Sequence, residues 1–248
     1  MIDILIDGAK VTAAEGETIL DAARRIGIDI PTLCFHETLR PHRACRVCTV
    51  EVIRGDKTGY LTACTYQVRE PLVVNTRSEG ALARRGEIIE GLLGSSPGAA
   101  PVVEIARRVG IEREIQPDGE RCIRCGVCVR VCADVIGKAA LTYEKGGEGT
   151  PYKTVTGDCI GCATCAALCP TGAIVVEDGG GVRRFVQGKR EFVLVSCRVC
   201  GRPITTERHL AVIRERRDLP DEIALVCAPC KRDAFAEKVI AGASTDAP

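Results

Sequence analysis

The 248-residue chain has no tryptophan, a single methionine and only 3% aromatic residues. A core with so few large rings needs a further source of stability. No apolar run approaches the roughly 20 residues that a membrane-spanning helix requires. The opening "MIDILIDGAK" carries Asp3 and Asp7 where a secretory signal has a basic patch and a long apolar stretch. A soluble, cytoplasmic protein in a reducing setting is therefore expected, of a length that suits two or three small domains. What the chain has in abundance is cysteine, 16 in all. In a reducing compartment dense cysteines are metal ligands, whereas disulfides belong to exported proteins.

The spacing supports the metal reading. The cysteines fall into four groups of four with none left over: Cys34, Cys45, Cys48, Cys64; Cys122, Cys125, Cys128, Cys132; Cys159, Cys162, Cys165, Cys169; and Cys197, Cys200, Cys227, Cys230. A C-x-x-C pair recurs in every group, which a disulfide framework would not require.

The two central groups, "CIRCGVCVRVCA" and "CIGCATCAALCP", share the pattern C-x2-C-x2-C-x3-C at an offset of 37 residues. This internal repeat is the bacterial two-cluster ferredoxin pattern. A tight loop with a cysteine at every third residue wraps three thiolates around a [4Fe–4S] cluster, and Gly126 and Gly161 let the backbone approach the sulfides. In this pattern the fourth cysteine ligates the other cluster. The expected sets are Cys122, Cys125, Cys128 and Cys169 for one cluster, and Cys159, Cys162, Cys165 and Cys132 for the other. Pro170 follows Cys169 as the pattern expects, but Ala133 follows Cys132. A pair of zinc knuckles is the alternative, although zinc sites use separate C-x2-C pairs. Between the groups, Ala140 to Tyr143 and Tyr152 to Val155 read as strands around an "EKGGEG" turn, and "GAIVVED" reads as a further strand.

At the N-terminus, residues 2 to 6 and 9 to 13 alternate around Asp7-Gly8, a hairpin signal. A helix should follow, capped by Thr18, with Ile19, Leu20, Ala23 and Ile26 on one face, and ended by Gly27 and Pro31. Then come Cys34, "CRVC" at 45 to 48, a strand "TVEVI" and Cys64. Hairpin, helix and cysteine loop against a sheet describe a β-grasp ferredoxin domain holding one [2Fe–2S] cluster, with a longer first gap than the plant-type C-x4-C-x2-C. His36 and His42 lie in the loop. A Rieske centre would need paired Cys/His motifs, so these histidines read as surface or supporting groups.

The module order, "C…ACRVCTVEV…LTACTYQV", then Val74, Thr76 and Ser78, then a connector and "CIRCGVCVRVC…CIGCATCAALCPTGAI", resembles the N-terminal part of the large iron–sulfur subunit of NADH-quinone oxidoreductase. It equally resembles the diaphorase-type iron–sulfur subunits of NAD-linked hydrogenases and formate dehydrogenases, and the N-terminal part of iron-only hydrogenases. The resemblance covers roughly residues 1 to 178. That family usually carries a further cluster bound by one histidine and three cysteines. The matching stretch here, "IIEGLLGSSPGAAPVVEIARRVGIE", has neither residue type, so that cluster is expected to be missing. The connector should form two helices, 81 to 93 and 101 to 110, whose Leu and Ile positions pack.

"CRVCG" at 197 and "CAPC" at 227 suit a zinc-ribbon or treble-clef module, with the second pair at the start of a helix. Zinc is the expected metal at Cys197, Cys200, Cys227 and Cys230, and a third [4Fe–4S] cluster is the alternative. Residues 183 to 217 hold ten Arg or Lys against three Glu. They read as a solvated face, or else as a docking patch for an acidic carrier such as a soluble ferredoxin. Near-neutral charge without interleaved aromatics points away from nucleic acid.

The expected fold class is α+β. The layout is a β-grasp [2Fe–2S] domain at 1–78, a helical connector at 79–117, a two-[4Fe–4S] ferredoxin domain at 118–182, a four-cysteine module at 183–240 and a flexible tail at 241–248. No strand leads into a G-x-G-x-x-G helix, so no dinucleotide site is evident. The expected function is a non-catalytic electron relay within a multi-subunit NAD(P)- or ferredoxin-linked oxidoreductase, beside a flavin- or NAD(P)-binding subunit and a catalytic subunit. An iron–sulfur redox sensor with a zinc module is the alternative, and a zinc-only scaffold is a third.

Overall fold

In the computed structural model, residues 1–142, 153–154, 158–186 and 190–243 are described. Strands β1 (Ile2–Ile6) and β2 (Ala9–Ala13) form an antiparallel hairpin. Asp7 and Gly8 both take positive φ, 48° and 84°, as a tight two-residue turn demands. Alternation places Ile4, Ile6, Val11 and Ala13 in the core. Helix α1 (Ile19–Arg25) starts on a capping box in which the Thr18 side chain accepts from the Asp21 N–H and the Asp21 carboxylate accepts from the Thr18 N–H. The helix ends sooner than its apolar pattern suggests. Ile26 is already the C-terminal cap and stands 36% exposed, and Gly27 turns the chain at φ 77°.

Strands β3 (Thr49–Arg54), β4 (Lys57–Thr62) and β5 (Val73–Asn75) complete a five-stranded sheet of order β2-β1-β5-β3-β4, in which only the β1–β5 pair is parallel. Its core is aliphatic. Ile6, Ile19, Leu20, Val50, Val52 and Val74 are fully buried, and each contributes about 1.5–3 kcal/mol by leaving water. The Val74, Thr76, Ser78 stretch explains how the sheet passes into the connector. Thr76 donates from N–H and Oγ1 to the Asp7 carboxylate, which ties β5 to the first turn. Ser78 then caps α2 (Glu79–Ser95) by accepting from the Ala81 N–H.

Helix α3 (Ala100–Arg108) packs on α2. Ile89, Leu93, Val102, Val103, Ile105 and Ala106 are buried together with Leu33, Val47, Ile123 and Val127. The connector's apolar side is thus the shared core between the first module and the next. Beyond it, α4 (Val127–Arg130) widens into a π-type turn over Val131–Val135. Strand β6 (Leu141–Thr142) pairs antiparallel with β7 (Lys153–Thr154). The "EKGGEG" turn and the strand positions Tyr143, Tyr152 and Val155 lie outside the described residues.

After α5 (Thr164–Ala167), the strand expected over "GAIVVED" begins only at Val176, because Ala173 and Ile174 turn inward as core. Strands β8 (Val176–Gly179), β9 (Val182–Phe185), β10 (Arg190–Ser196) and β11 (Pro203–Thr206) make an antiparallel sheet of order β11-β10-β9-β8. This sheet runs on from the second cysteine repeat into the C-terminal module. Helices α6 (Glu207–Arg216), α7 (Asp221–Ala224) and α8 (Ala228–Ala243) close the described chain. Residues 241–243 continue α8, and 244–248 lie outside the described residues.

Two glycines should respond oppositely to alanine. Gly161 sits at φ 68°, and a Cβ there would lie 2.6 Å from Phe192 Cγ and 2.9 Å from Thr206 Cγ2. Gly161→Ala should therefore destabilise by about 1–3 kcal/mol through overpacking and positive-φ strain. Gly91, inside α2 with nothing within 4 Å of its Cβ position, should gain about 0.5–1 kcal/mol as alanine. Chemical denaturation of both variants checks the pair.

Candidate metal centres

The first quartet hangs between α1 and the sheet. Cys34, Cys45 and Cys48 come from the loop before β3, and Cys64 follows β4. All four are at most 5% exposed. They form two close pairs, with Cys34 Sγ 3.3 Å from Cys45 Sγ and Cys48 Sγ 3.3 Å from Cys64 Sγ. Arg43 and Arg46 take φ 45° and 57°, a left-handed conformation costly for a side-chain-bearing residue. It curls the loop so that the thiols converge. The hydrogen bond from Cys45 holds the Cys34 thiol down at about 6 against the opposing effect of burial, and the same bond pushes Cys45 up. Cys48 and Cys64 repeat the relation, Cys48 lowered and Cys64 raised. His36 Nδ1 accepts from the Thr38 N–H within its own turn, and His42 is exposed.

The central repeat folds as two cavities. Cys122, Cys125, Cys128 and Cys169 line one, and Cys132, Cys159, Cys162 and Cys165 line the other. Each set takes three cysteines from one loop and the fourth from the other. The two loops share an unusual backbone. Arg124 and Gly126 follow Cys122 at φ 52° and 74°, and Gly161 and Ala163 follow Cys159 at the same offsets with φ 68° and 62°. Glycine marks one of these positions in each loop. Arg124 and Ala163 carry no such mark, and only the repeat's symmetry could have revealed them.

N–H groups point at several sulfurs: Arg124 N to Cys122 Sγ at 3.4 Å, Ala140 N to Cys132 Sγ at 3.3 Å and Ala173 N to Cys169 Sγ at 3.3 Å. Donors of this kind stabilise thiolate charge and tune a cluster's potential. Burial pushes the Cys122 thiol up to about 11 and those of Cys128 and Cys165 to about 12, with neighbouring cysteines adding to all three. Four thiolates crowded into such a cavity repel one another unless a cationic core stands among them. The donor set therefore fits an iron–sulfur cluster.

The C-terminal quartet is tighter. Cys197 follows β10 and begins a knuckle closed by hydrogen bonds from Cys197 N to Arg202 O (2.8 Å) and from Gly201 N to Cys197 O (2.9 Å), with Gly201 at φ 73°. Cys227 lies just before α8 and Cys230 in its first turn. The four Sγ atoms all lie within 4.8 Å of one another, Cys200 and Cys227 at 3.6 Å. A tetrahedral zinc ion with Zn–S bonds of about 2.3 Å sets its sulfurs about 3.8 Å apart. A cubane places four irons and four sulfides between its thiolates and spreads them further.

This module is seated on the second central loop. Buried Thr206 donates Oγ1 to Ile160 O and also caps α6 by accepting from the His209 N–H. Arg183 reaches Gly161 O at 3.0 Å, and Arg216 reaches Ile136 O at 2.8 Å. The basic stretch is thus largely engaged internally. Arg183 pairs with Asp178, Arg184 with Glu191, and both Arg198 and Arg214 with Asp221.

Comparison with known proteins agrees with these centres. Residues 1–79 match the family described as "2Fe-2S iron-sulfur cluster binding domain", and residues 121–173 match that described as "4Fe-4S dicluster domain". The chain is 33% identical over 204 residues to NADPH-Fe(3+) oxidoreductase subunit alpha of Geobacter sulfurreducens, an alignment covering 71% of this chain and 24% of that protein. It is 32% identical over 215 residues to NADP-reducing hydrogenase subunit HndD of Solidesulfovibrio fructosivorans, covering 72% and 36%. Against the mitochondrial NADH-ubiquinone oxidoreductase 78 kDa subunit of Candida albicans the identity is 30% over 164 residues, covering 66% and 21%.

These relatives are subunits of NADPH-, NADP- and NADH-linked oxidoreductases.

The chain spans about a fifth to a third of the length of these relatives. Its fold is shared with a chain of the crystal structure of NAD+-reducing [NiFe]-hydrogenase in the H2-reduced state, at a TM-score of 0.57 and 24% identity, covering 75% of this chain and 88% of that one.

The contact between the C-terminal module and the second loop can be tested at Thr206. Thr206→Val removes a helix cap, worth about 1 kcal/mol, and leaves the buried Ile160 carbonyl unpartnered, worth about 1–3 kcal/mol. A loss of about 2–4 kcal/mol in chemical denaturation is expected.

Proposed function

We propose that the chain is an electron-relay subunit of an NAD(P)- or ferredoxin-linked oxidoreductase complex. The observation that carries this reading is the contiguity of the three inner quartets. Cys34 and Cys45 of the first quartet share an apolar core with Cys125 of the second, and Cys128 packs in a cluster with Cys132, Cys159 and Cys165. Three thiol quartets that adjoin one another through packed apolar residues make a path for single electrons.

The ligand sets in this reading are Cys34, Cys45, Cys48 and Cys64 for a [2Fe–2S] cluster, the two close pairs each serving one iron. Cys122, Cys125, Cys128 and Cys169 hold one [4Fe–4S] cluster, and Cys159, Cys162, Cys165 and Cys132 the second. When bound, the clusters supply the redox chemistry. The chain's own residues set their spacing, exclude water and direct N–H groups at the sulfurs. The compactness of Cys197, Cys200, Cys227 and Cys230 favours one structural Zn²⁺ over a third [4Fe–4S] cluster. A zinc knuckle on β10–β11 with the second pair at a helix start is treble-clef-like, and it clamps the sheet against the second [4Fe–4S] loop.

Partners follow from the chemistry. A relay needs a flavin- or NAD(P)-binding subunit at one end and a catalytic subunit, such as a hydrogenase or formate dehydrogenase, at the other. A soluble ferredoxin is a further exchange partner, although Arg183, Arg184, Arg198 and Arg214 of the basic stretch are paired internally. No helix among the described residues is long and apolar enough to cross a membrane, in keeping with a soluble complex in the cytoplasm.

Metal analysis of anaerobically purified chain should return about ten iron, ten acid-labile sulfide and one zinc. About fourteen iron without zinc would instead make the C-terminal quartet a redox centre. Several zinc with little iron would contradict the relay.

A further inference from the structure

Two arginines stand on opposite sides of the first quartet, and each spends its hydrogen bonds on backbone carbonyls. Arg85, from the inner face of α2, is 5% exposed. It donates Nη2 to Thr49 O at 2.9 Å and to Thr76 O at 3.2 Å. Thr49 is the residue after Cys48. Arg130, at the end of α4, crosses from the central repeat. It donates Nη2 to Cys34 O at 2.8 Å and Nη1 to Arg40 O at 2.6 Å. Among the described residues, the Nε atoms of these two arginines are the buried side-chain nitrogens or oxygens that find no hydrogen-bond partner.

A buried guanidinium without a carboxylate against it is costly. Burial pulls the Arg85 pKa below its ordinary value, and the Cys48 side chain is the strongest opposing charge, ahead of Asp29. Arg130 bonds the Cys34 carbonyl of the first quartet and lies two residues after Cys128 of the second. The missing counter-charge is therefore on the sulfurs. A [2Fe–2S] cluster with four thiolates is an anion, and reduction adds one more negative charge. Fixed positive charges beside it favour the reduced form, and the burial of Arg85 keeps salt from screening it.

We infer that Arg85 and Arg130 are built-in counter-charges of the first centre, and that Arg130, shared with the Cys122/Cys125/Cys128/Cys169 centre, favours the reduced form of both. The inference rests on the relay reading, since it requires iron at both quartets. It also gives a directional reason for the asymmetry of the two arginines. Arg85 touches one centre alone, whereas Arg130 stands where an electron would pass between two.

The test is an EPR-monitored redox titration of the anaerobically purified full chain as wild type, R85Q, R85K, R130Q and R130K, with iron and sulfide measured on each. R85Q should lower the ratio of reduced to oxidised first centre at least tenfold at a fixed potential, a fall of about 59 mV for one electron, and leave both [4Fe–4S] centres unmoved. R130Q should lower the first centre and the Cys122/Cys125/Cys128/Cys169 centre together. The lysine variants keep the charge but not the forked geometry, and should recover more than half of each shift. Unmoved midpoints in both glutamine variants would overturn the proposal, as would lysine variants displaced as far as glutamine ones, which is the signature of a merely structural tether. Should R85Q fail to take up its cluster, R130Q decides alone by the same criteria. Absence of iron from the wild-type first quartet would overturn the relay reading itself, and the metal content separates that failure from this one.

Discussion

Everything in this molecule is arranged around thiolate charge. Thiols gathered in fours, most of them in or beside an apolar core, repel one another and lose their hydration. Such groups persist when a cation or a cationic cluster stands among them, and binding that core then becomes part of the folding free energy. This accounts for a chain so poor in aromatic residues. Valine, isoleucine and leucine fill the space between the quartets, and metal bound at the thiols would tie together loops that aliphatic packing alone would hold weakly. It also accounts for the strained residues. Arg43, Arg46, Arg124 and Ala163 adopt positive φ where the chain curls around sulfur, and a metal–ligand network over-determines such conformations.

The electrostatic consequences extend past the ligands. N–H groups aimed at Cys122, Cys132 and Cys169 and the guanidiniums of Arg85 and Arg130 form a graded positive surround. The connector helices, which hold no histidine or cysteine, contribute packing and one buried arginine. Their apolar faces fill the space beside Cys34, Cys45 and Cys125, so the first and second quartets meet through a shared core.

Much of this was legible from residues alone, because ligand spacing and turn chemistry are local. The quartets, the Asp7-Gly8 hairpin, the Thr18 cap and the two connector helices follow from short-range pattern, and α2 and α3 lie within two residues of their expected bounds. The rest depends on distant partners. The extent of the β8–β11 sheet could not be read, since β9 and β10 are rich in arginine and look like a solvated face until Asp178 and Glu191 are seen opposite. Arg130 reads as an ordinary helical cation, and its role arises from a contact with Cys34 96 positions away. Gly27 ends α1 as read from the sequence, and only the place of Ile26 differs. Ile26 continues the apolar period, but Gly27 breaks the helix before it can be used.

The central claim is that the first two quartets carry clusters close enough to exchange electrons directly. The most direct test is EPR of the [2Fe–2S] signal at two levels of reduction, with the neighbouring [4Fe–4S] centre first oxidised and diamagnetic and then reduced and paramagnetic. The account predicts that the [2Fe–2S] signal splits or broadens and relaxes faster once its neighbour is reduced. A signal of unchanged shape and relaxation at full reduction of both centres would contradict it.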